Sequence, residues 1–264
     1  MSLSIITINY NNCTGLKRTF ETVLSQNFQD FEYIVIDGGS TDGSKALIEK
    51  FADKISYYVS EPDAGIYDAM NKGISKASNA YLLFLNSGDV FCNVEVLQNC
   101  DLKNKKKDIL YADIFNVYAN EKVLRKYDMK IGFEFMFQGT FCHNATFIKR
   151  DLFTKFGLYN LKYKIVSDWH FFMKVLFKNN CTYQHLDFPL IEYDRNGFSS
   201  LPQNQFMLEN ERNEILNSEY AHEMGLYQEM LAERRKFLNL INSPLIKQIS
   251  IVKIAISKFI NVRR

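Results

Sequence analysis

The chain has 264 residues, 47% of them apolar and 23% charged, with a net charge of +2. That balance supports a buried core, argues against disorder, and lacks the basic excess of a dedicated nucleic-acid binder. Five scattered cysteines (Cys13, Cys92, Cys100, Cys142 and Cys181) form no Cys-x-x-Cys pair, which argues against a disulfide framework or a zinc site and favours a reducing compartment.

Residues 3–8 predict a buried strand, and Leu16, Phe20, Val23 and Leu24 recur at helical spacing. Residues 32–36 predict a second strand ending at Asp37, residues 46–51 a helix, and residues 55–59 a third strand. Ile66, Met70, Ile74 and Ala77 mark an amphipathic helix, and residues 81–85 a fourth strand running into Asn86 and Asp89. This strand–helix–strand order predicts an α/β fold with a mostly parallel central sheet flanked by helices. Ligands bind outside the carboxyl ends of such strands, and the polar clusters 9–12, 37–42, 61–65 and 86–89 all fall there.

Beyond Asp89 the pattern becomes mixed. Residues 108–117, 122–127 and 145–149 read as strands, and 168–177 as a buried helix. Residues 182–193 read as a strand interrupted at Pro189, and 203–239 as long and helical. Pro244 breaks that helix, and a last one is expected over 245–262. No run is apolar and long enough to cross a bilayer, and the first residues lack the pattern of a signal peptide, so a cytoplasmic location is expected.

The segment GGSTDGSK (38–45) imitates a phosphate-binding P-loop but has Ser44 where that loop needs lysine, and no G-x-G-x-x-G follows the first strand. The stretches SIITINYN (4–11), YIVIDGGSTDG (33–43), EPDAGIYDAMNKG (61–73) and FLNSGD (84–89) together resemble a family 2 glycosyltransferase of the GT-A fold, bacterial surface-polysaccharide type. HNATFIKR (143–150) and SDW (167–169) continue the resemblance more loosely.

The resemblance implies a catalytic domain over 1–200, with a nucleotide-binding half over 1–92 and an acceptor-side half over 93–200, then a helical C-terminal extension over 201–264. It places Thr7, Asn9, Asp37, Asp63, Asn86 and Arg195 on a nucleotide-diphospho-sugar donor, a UDP-sugar by expectation. A strand-end carboxylate such as Asp37 can accept from a uracil N–H or a ribose hydroxyl. Asp168 is implied as the general base that takes the acceptor's proton, with His143 and Trp169 on the acceptor or leaving-group side. Asp89 is implied as the ligand of Mn2+ or Mg2+. Here the chain departs from the family's paired acids: Asn86 replaces one, and Gly88 leaves Asp89 as a single carboxylate.

The activity implied is inverting transfer of a hexosyl or N-acetylhexosaminyl group to a glycan or lipid-linked glycan acceptor, with no role for nucleic acid. A non-catalytic nucleotide-sugar-binding scaffold and a nucleotidyltransferase remain as alternatives. In residues 245–264, Leu245, Ile249, Val252, Ile256 and Phe259 share one helical face, with Lys247, Lys253, Lys258, Arg263 and Arg264 as cations and no acid. This pattern raises the expectation of peripheral contact with the inner face of the cytoplasmic membrane, or of packing in a homodimer.

Overall fold

The computed structural model describes residues 3–119, 121–127, 130–195, 197 and 201–243. The helix expected over 245–262 lies outside the described residues. The first half runs β1 (Leu3–Asn9), α1 (Cys13–Leu24), β2 (Phe31–Asp37), α2 (Ser44–Lys50), β3 (Tyr57–Ser60), α3 (Ile66–Lys76) and β4 (Tyr81–Phe84). All seven residues of β1 are buried, which is why its run of isoleucines reads as continuous rather than alternating. Asn12 ends the loop after β1 and caps α1, its side chain accepting from the backbone N of Gly15 at 3.1 Å. α1 then buries Leu16, Phe20 and Val23.

The second half runs β5 (Val90–Phe91), α4 (Val96–Asn99), β6 (Ile109–Val117), β7 (Lys122–Arg125), α5 (Phe133–Gln138) and β8 (Thr146–Lys149). α6 (Arg150–Phe156), α7 (Ser167–Met173), β9 (Tyr183–Asp194), α8 (Gln205–Glu219) and α9 (Ala221–Ile241) follow. The strand order is β3-β2-β1-β4-β8-β6-β9-β5, with β7 paired to β6. β3, β2, β1 and β4 are mutually parallel, with Ile5 of β1 in register with Tyr33 on one side and Leu83 on the other. β8 runs antiparallel to both β4 and β6, whereas β9 is parallel to β6. The N-terminal half of the sheet is therefore wholly parallel and the second half mixed, and in the first half helices provide the crossovers that parallel pairing requires.

The chain divides into two compact units, Met1–Arg212 and Asn213–Arg264. The helix expected over 168–177 ends at Met173 and continues as a wider π turn over Lys174–Lys178. The interruption expected at Pro189 is a slip in register, because proline has no N–H for the ladder: β9 stays paired to β6 but shifts around Asp113. The long C-terminal helical run breaks at Tyr220, whose φ of −132° is not helical.

Candidate active site

Two sets of residues gather at the carboxyl ends of the parallel strands. The first surrounds Asp37, at the end of β2. Its carboxylate accepts from Asn9 Nδ2 at 2.7 Å, Ser40 Oγ at 2.6 Å, Ser60 Oγ at 2.6 Å and the backbone N of Ser40 at 3.0 Å. Burial pushes this carboxyl up, and the hydrogen bonds from Ser40, Ser60 and Asn9 more than offset it, leaving it below the usual value. Asn9 Oδ1 is buried with no hydrogen-bond partner among the described residues. Asp63 reaches the same rim. Its Oδ1 accepts from Gly65 N at 2.9 Å, and a Cβ on residue 38 would lie 2.6 Å from its Oδ2, so Gly38 makes that approach possible. Thr7 is elsewhere: fully buried in β1, it donates to the Leu85 carbonyl at 2.8 Å and ties β1 to the end of β4.

The second set lines a cleft of about 540 Å3 that contains Asn86, Asp89, His143, Asp168, Trp169 and Arg195. Asp89 is 4% exposed. Its Oδ1 accepts from the backbone N of Asp194 at 2.9 Å, and its Oδ2 accepts from Asn144 Nδ2. Burial pushes its carboxyl up to about 7, against those two hydrogen bonds. Gly88 precedes it with φ +108°, a left-handed conformation that disfavours a second acid at this position of the turn.

Asn144 also orders its neighbours. With its amide nitrogen on Asp89, its Oδ1 accepts from Asn86 Nδ2 at 3.4 Å and faces His143 Nδ1 at 3.3 Å. His143 then carries its proton on Nδ1 and accepts the Tyr159 hydroxyl on Nε2 at 2.7 Å. Burial holds this imidazole below its usual pKa, and its ring stacks on Phe84. Both nitrogens of His143 are thus occupied by the protein. Trp169 is buried; its indole N donates to the Met136 carbonyl at 2.8 Å, and the Arg212 guanidinium lies 4.5 Å from the ring centroid. Asp168, half-buried in the first turn of α7, accepts from the Tyr67 hydroxyl at 2.7 Å on Oδ1. Arg195 has a buried Nε with no hydrogen-bond partner among the described residues.

Tyr67, Asn144, Glu211 and Arg212 were not singled out in the sequence. Glu211 accepts from the backbone N of Lys164, Ile165 and Val166 at 2.8, 3.0 and 3.3 Å, and so fixes the segment that leads into Asp168. Tyr67 lies 101 positions from Asp168 and Asn144 lies 55 from Asp89, and no local spacing signals either contact.

Among the described residues, no three acidic, histidine or cysteine side chains gather as a cation site. The donor set still suits a hard cation shared with a substrate: Asp89 supplies a carboxylate, and Asn86 Oδ1 is a buried carbonyl oxygen with no partner among the described residues. Such ions take oxygen ligands and are commonly held by one or two carboxylates plus phosphate oxygens and water.

The model of the family described as Glycosyl transferase family 2 matches residues 4–173. The chain belongs to this family. The enzyme is a glycosyltransferase, and its matched region contains every site residue named above from Asn9 to Trp169. It is similar to a PGL/p-HBAD biosynthesis glycosyltransferase of Mycobacterium bovis, with 30% identity over 174 residues, 64% of this chain and 67% of that one. Among solved structures it is similar to S. aureus TarS in complex with UDP, at TM-score 0.65 and 20% identity, over 94% of this chain and 77% of that one. Against TarS 1-349 in complex with UDP-GlcNAc the TM-score is 0.63, and the match spans 74% of this chain and 58% of that one. The mannosyltransferase PcManGT of Pyrobaculum calidifontis, in complex with GDP-Man and Mn2+, gives a TM-score of 0.54 at 14% identity, over 71% of this chain and 54% of that one. These likenesses show the GT-A fold.

Proposed function

We propose that this glycosyltransferase moves a sugar from a UDP-sugar to a hydroxyl of a glycan acceptor, with inversion at the anomeric carbon. The observation that carries the reading is that Asp168, Asp89, Asn86 and Arg195 line the same cleft. A UDP-sugar is favoured because the likeness to TarS, solved with UDP-GlcNAc and with UDP, exceeds that to PcManGT.

Asp37, Asp63 and Asn9 hold the nucleoside, with the unpartnered Asn9 Oδ1 available to an N–H or O–H of the ligand. Arg195 donates to the diphosphate. Asp168 takes the proton of the acceptor hydroxyl as that oxygen bonds to the anomeric carbon. The bond from that carbon to the diphosphate oxygen breaks, and UDP leaves with the electron pair. Asp89 and Asn86 would hold Mn2+ or Mg2+, which when bound neutralises charge on the diphosphate. The basic amphipathic sequence over 245–264 suits an acceptor that is lipid-linked at the cytoplasmic leaflet.

The test is release of UDP from a panel of UDP-sugars, with and without acceptor, in Mn2+ and in EDTA. Acceptor-dependent release that falls in EDTA supports the reading. Asp168→Asn should then lower transfer by roughly 10²- to 10⁴-fold while leaving UDP affinity nearly unchanged. Pyrophosphate exchange would indicate a nucleotidyltransferase, and binding without turnover a scaffold.

A further inference from the structure

Tyr67 stands in the first turn of α3 with its ring buried. Its hydroxyl lies 2.7 Å from Asp168 Oδ1 and 2.6 Å from the backbone carbonyl of Ile165. A phenol has one hydrogen and two acceptors are within reach, so it can donate to only one of them at a time.

We infer that Tyr67 is a positioning residue for the base. Its hydroxyl holds Oδ1 of the ionised Asp168, leaves Oδ2 to the acceptor, and turns to the Ile165 carbonyl once the carboxyl has taken the acceptor's proton. The inference rests on the reading of Asp168 as the base. No atom is transferred to or from Tyr67, and only the direction of its hydrogen changes.

Three features make the arrangement rigid enough for this. Glu211 anchors the backbone N–H groups of residues 164–166, so the Ile165 carbonyl and Asp168 sit on one braced segment. Asn71, one turn beyond Tyr67 on the same face of α3, exchanges two hydrogen bonds with the backbone of Tyr159, at 2.9 and 3.0 Å. That pair fixes the distance between α3 and Tyr159, whose hydroxyl in turn holds His143 in the cleft. The same two turns of α3 hold the loop that carries Asp63: Asp68 accepts from Ala64 N at 2.9 Å, and Lys72 donates to the Pro62 carbonyl at 3.0 Å. Burial, with the charge of Asp168 beside it, drives the Tyr67 phenol well above its ordinary pKa, so it serves as a donor and not as a base itself.

The experiment is a double-mutant cycle on kcat with wild type, Tyr67→Phe, Asp168→Asn and the double variant. The Phe ring preserves packing, and a thermal midpoint close to wild type checks this. Tyr67→Phe should lower kcat about tenfold with the donor KM changed less than about twofold, and should cost nothing further in the Asp168→Asn background. An equal loss in both backgrounds would make Tyr67 merely structural and overturn the inference. So would an undiminished kcat for Tyr67→Phe when Asp168→Asn is impaired. Near-wild-type turnover by Asp168→Asn would instead overturn the base assignment, and this inference with it.

Discussion

His143 shows how a residue in the cleft can be committed to the protein. Its ring nitrogens face Asn144 and Tyr159, and its face stacks on Phe84, so burial holds it neutral with a depressed pKa. The unfolded chain protonates this histidine first, near 6.5, and therefore binds more protons than the folded state below that pH. The stability it contributes is complete above about 6.5 and is lost as pH falls toward the lower folded value. Asp89 has the opposite sign, because a carboxyl lifted to about 7 favours the folded state at low pH and loses that advantage as pH rises through 7. The two effects are separated by comparing wild type with His143→Gln, since Asp89 titrates in both. Wild type should exceed the variant in thermal midpoint at pH 7.5 by more than it does at pH 5. Parallel melting curves across that range would show that His143 is not buried as a neutral group. Staying above pH 5 keeps Asp37 ionised throughout, because hydrogen bonding holds its carboxyl below the usual value.

At the scale of elements, the legible parts of the sequence were those with a long, regular period. β1, β2, α3 and β4 follow from runs of isoleucine and leucine and from apolar residues at helical spacing. β5 has two residues and pairs only at the edge with β9, so it has no period to read. α5 is FEFMFQ, six residues too short to show a helical period, and its phenylalanines at every second position imitate a strand. The rim around Asp37 and Asp63 was legible because strand ends follow from the strands themselves. The contact between Tyr67 and Asp168 spans 101 positions and belongs to tertiary packing alone. α3 earns its place against the sheet through Gly73, where a Cβ would meet the fully buried Ile6 Cγ2 at 2.5 Å. Gly73→Ala should therefore destabilise the protein by roughly 1–3 kcal/mol through overpacking, reduced by the gain in helix propensity. Gly225, exposed in α9 with nothing within 4 Å of an added Cβ, provides the control. Gly225→Ala should raise the denaturation midpoint slightly, by up to about 1 kcal/mol. A Gly73→Ala variant as stable as the Gly225→Ala control would mean that α3 does not press on β1 as described.

At the scale of the whole molecule, charge is distributed unevenly. The net charge of +2 combines −3 over residues 1–244 with +5 over residues 245–264, a segment without a single acid. Its isoleucines, with Leu245, Val252 and Phe259, would form a broad apolar side if it were helical, and the lysines argue against its spanning a bilayer. No helix among the described residues is long and apolar enough to cross a membrane either. A segment of this kind binds at an anionic surface by two additive terms. One is burial of the apolar side in the headgroup boundary, and the other is attraction of its cations, about 1 kcal/mol for each Lys or Arg near the surface. The second term is screened by salt, whereas burial of the segment against protein is much less so. The full chain should therefore sediment with vesicles rich in phosphatidylserine at low salt, detach as salt is raised, and ignore vesicles of neutral lipid. A chain ending at Asn242 should stay in the supernatant with either lipid. If both proteins sediment equally, or neither does, residues 245–264 do not act at a membrane, and packing on protein is left as their role.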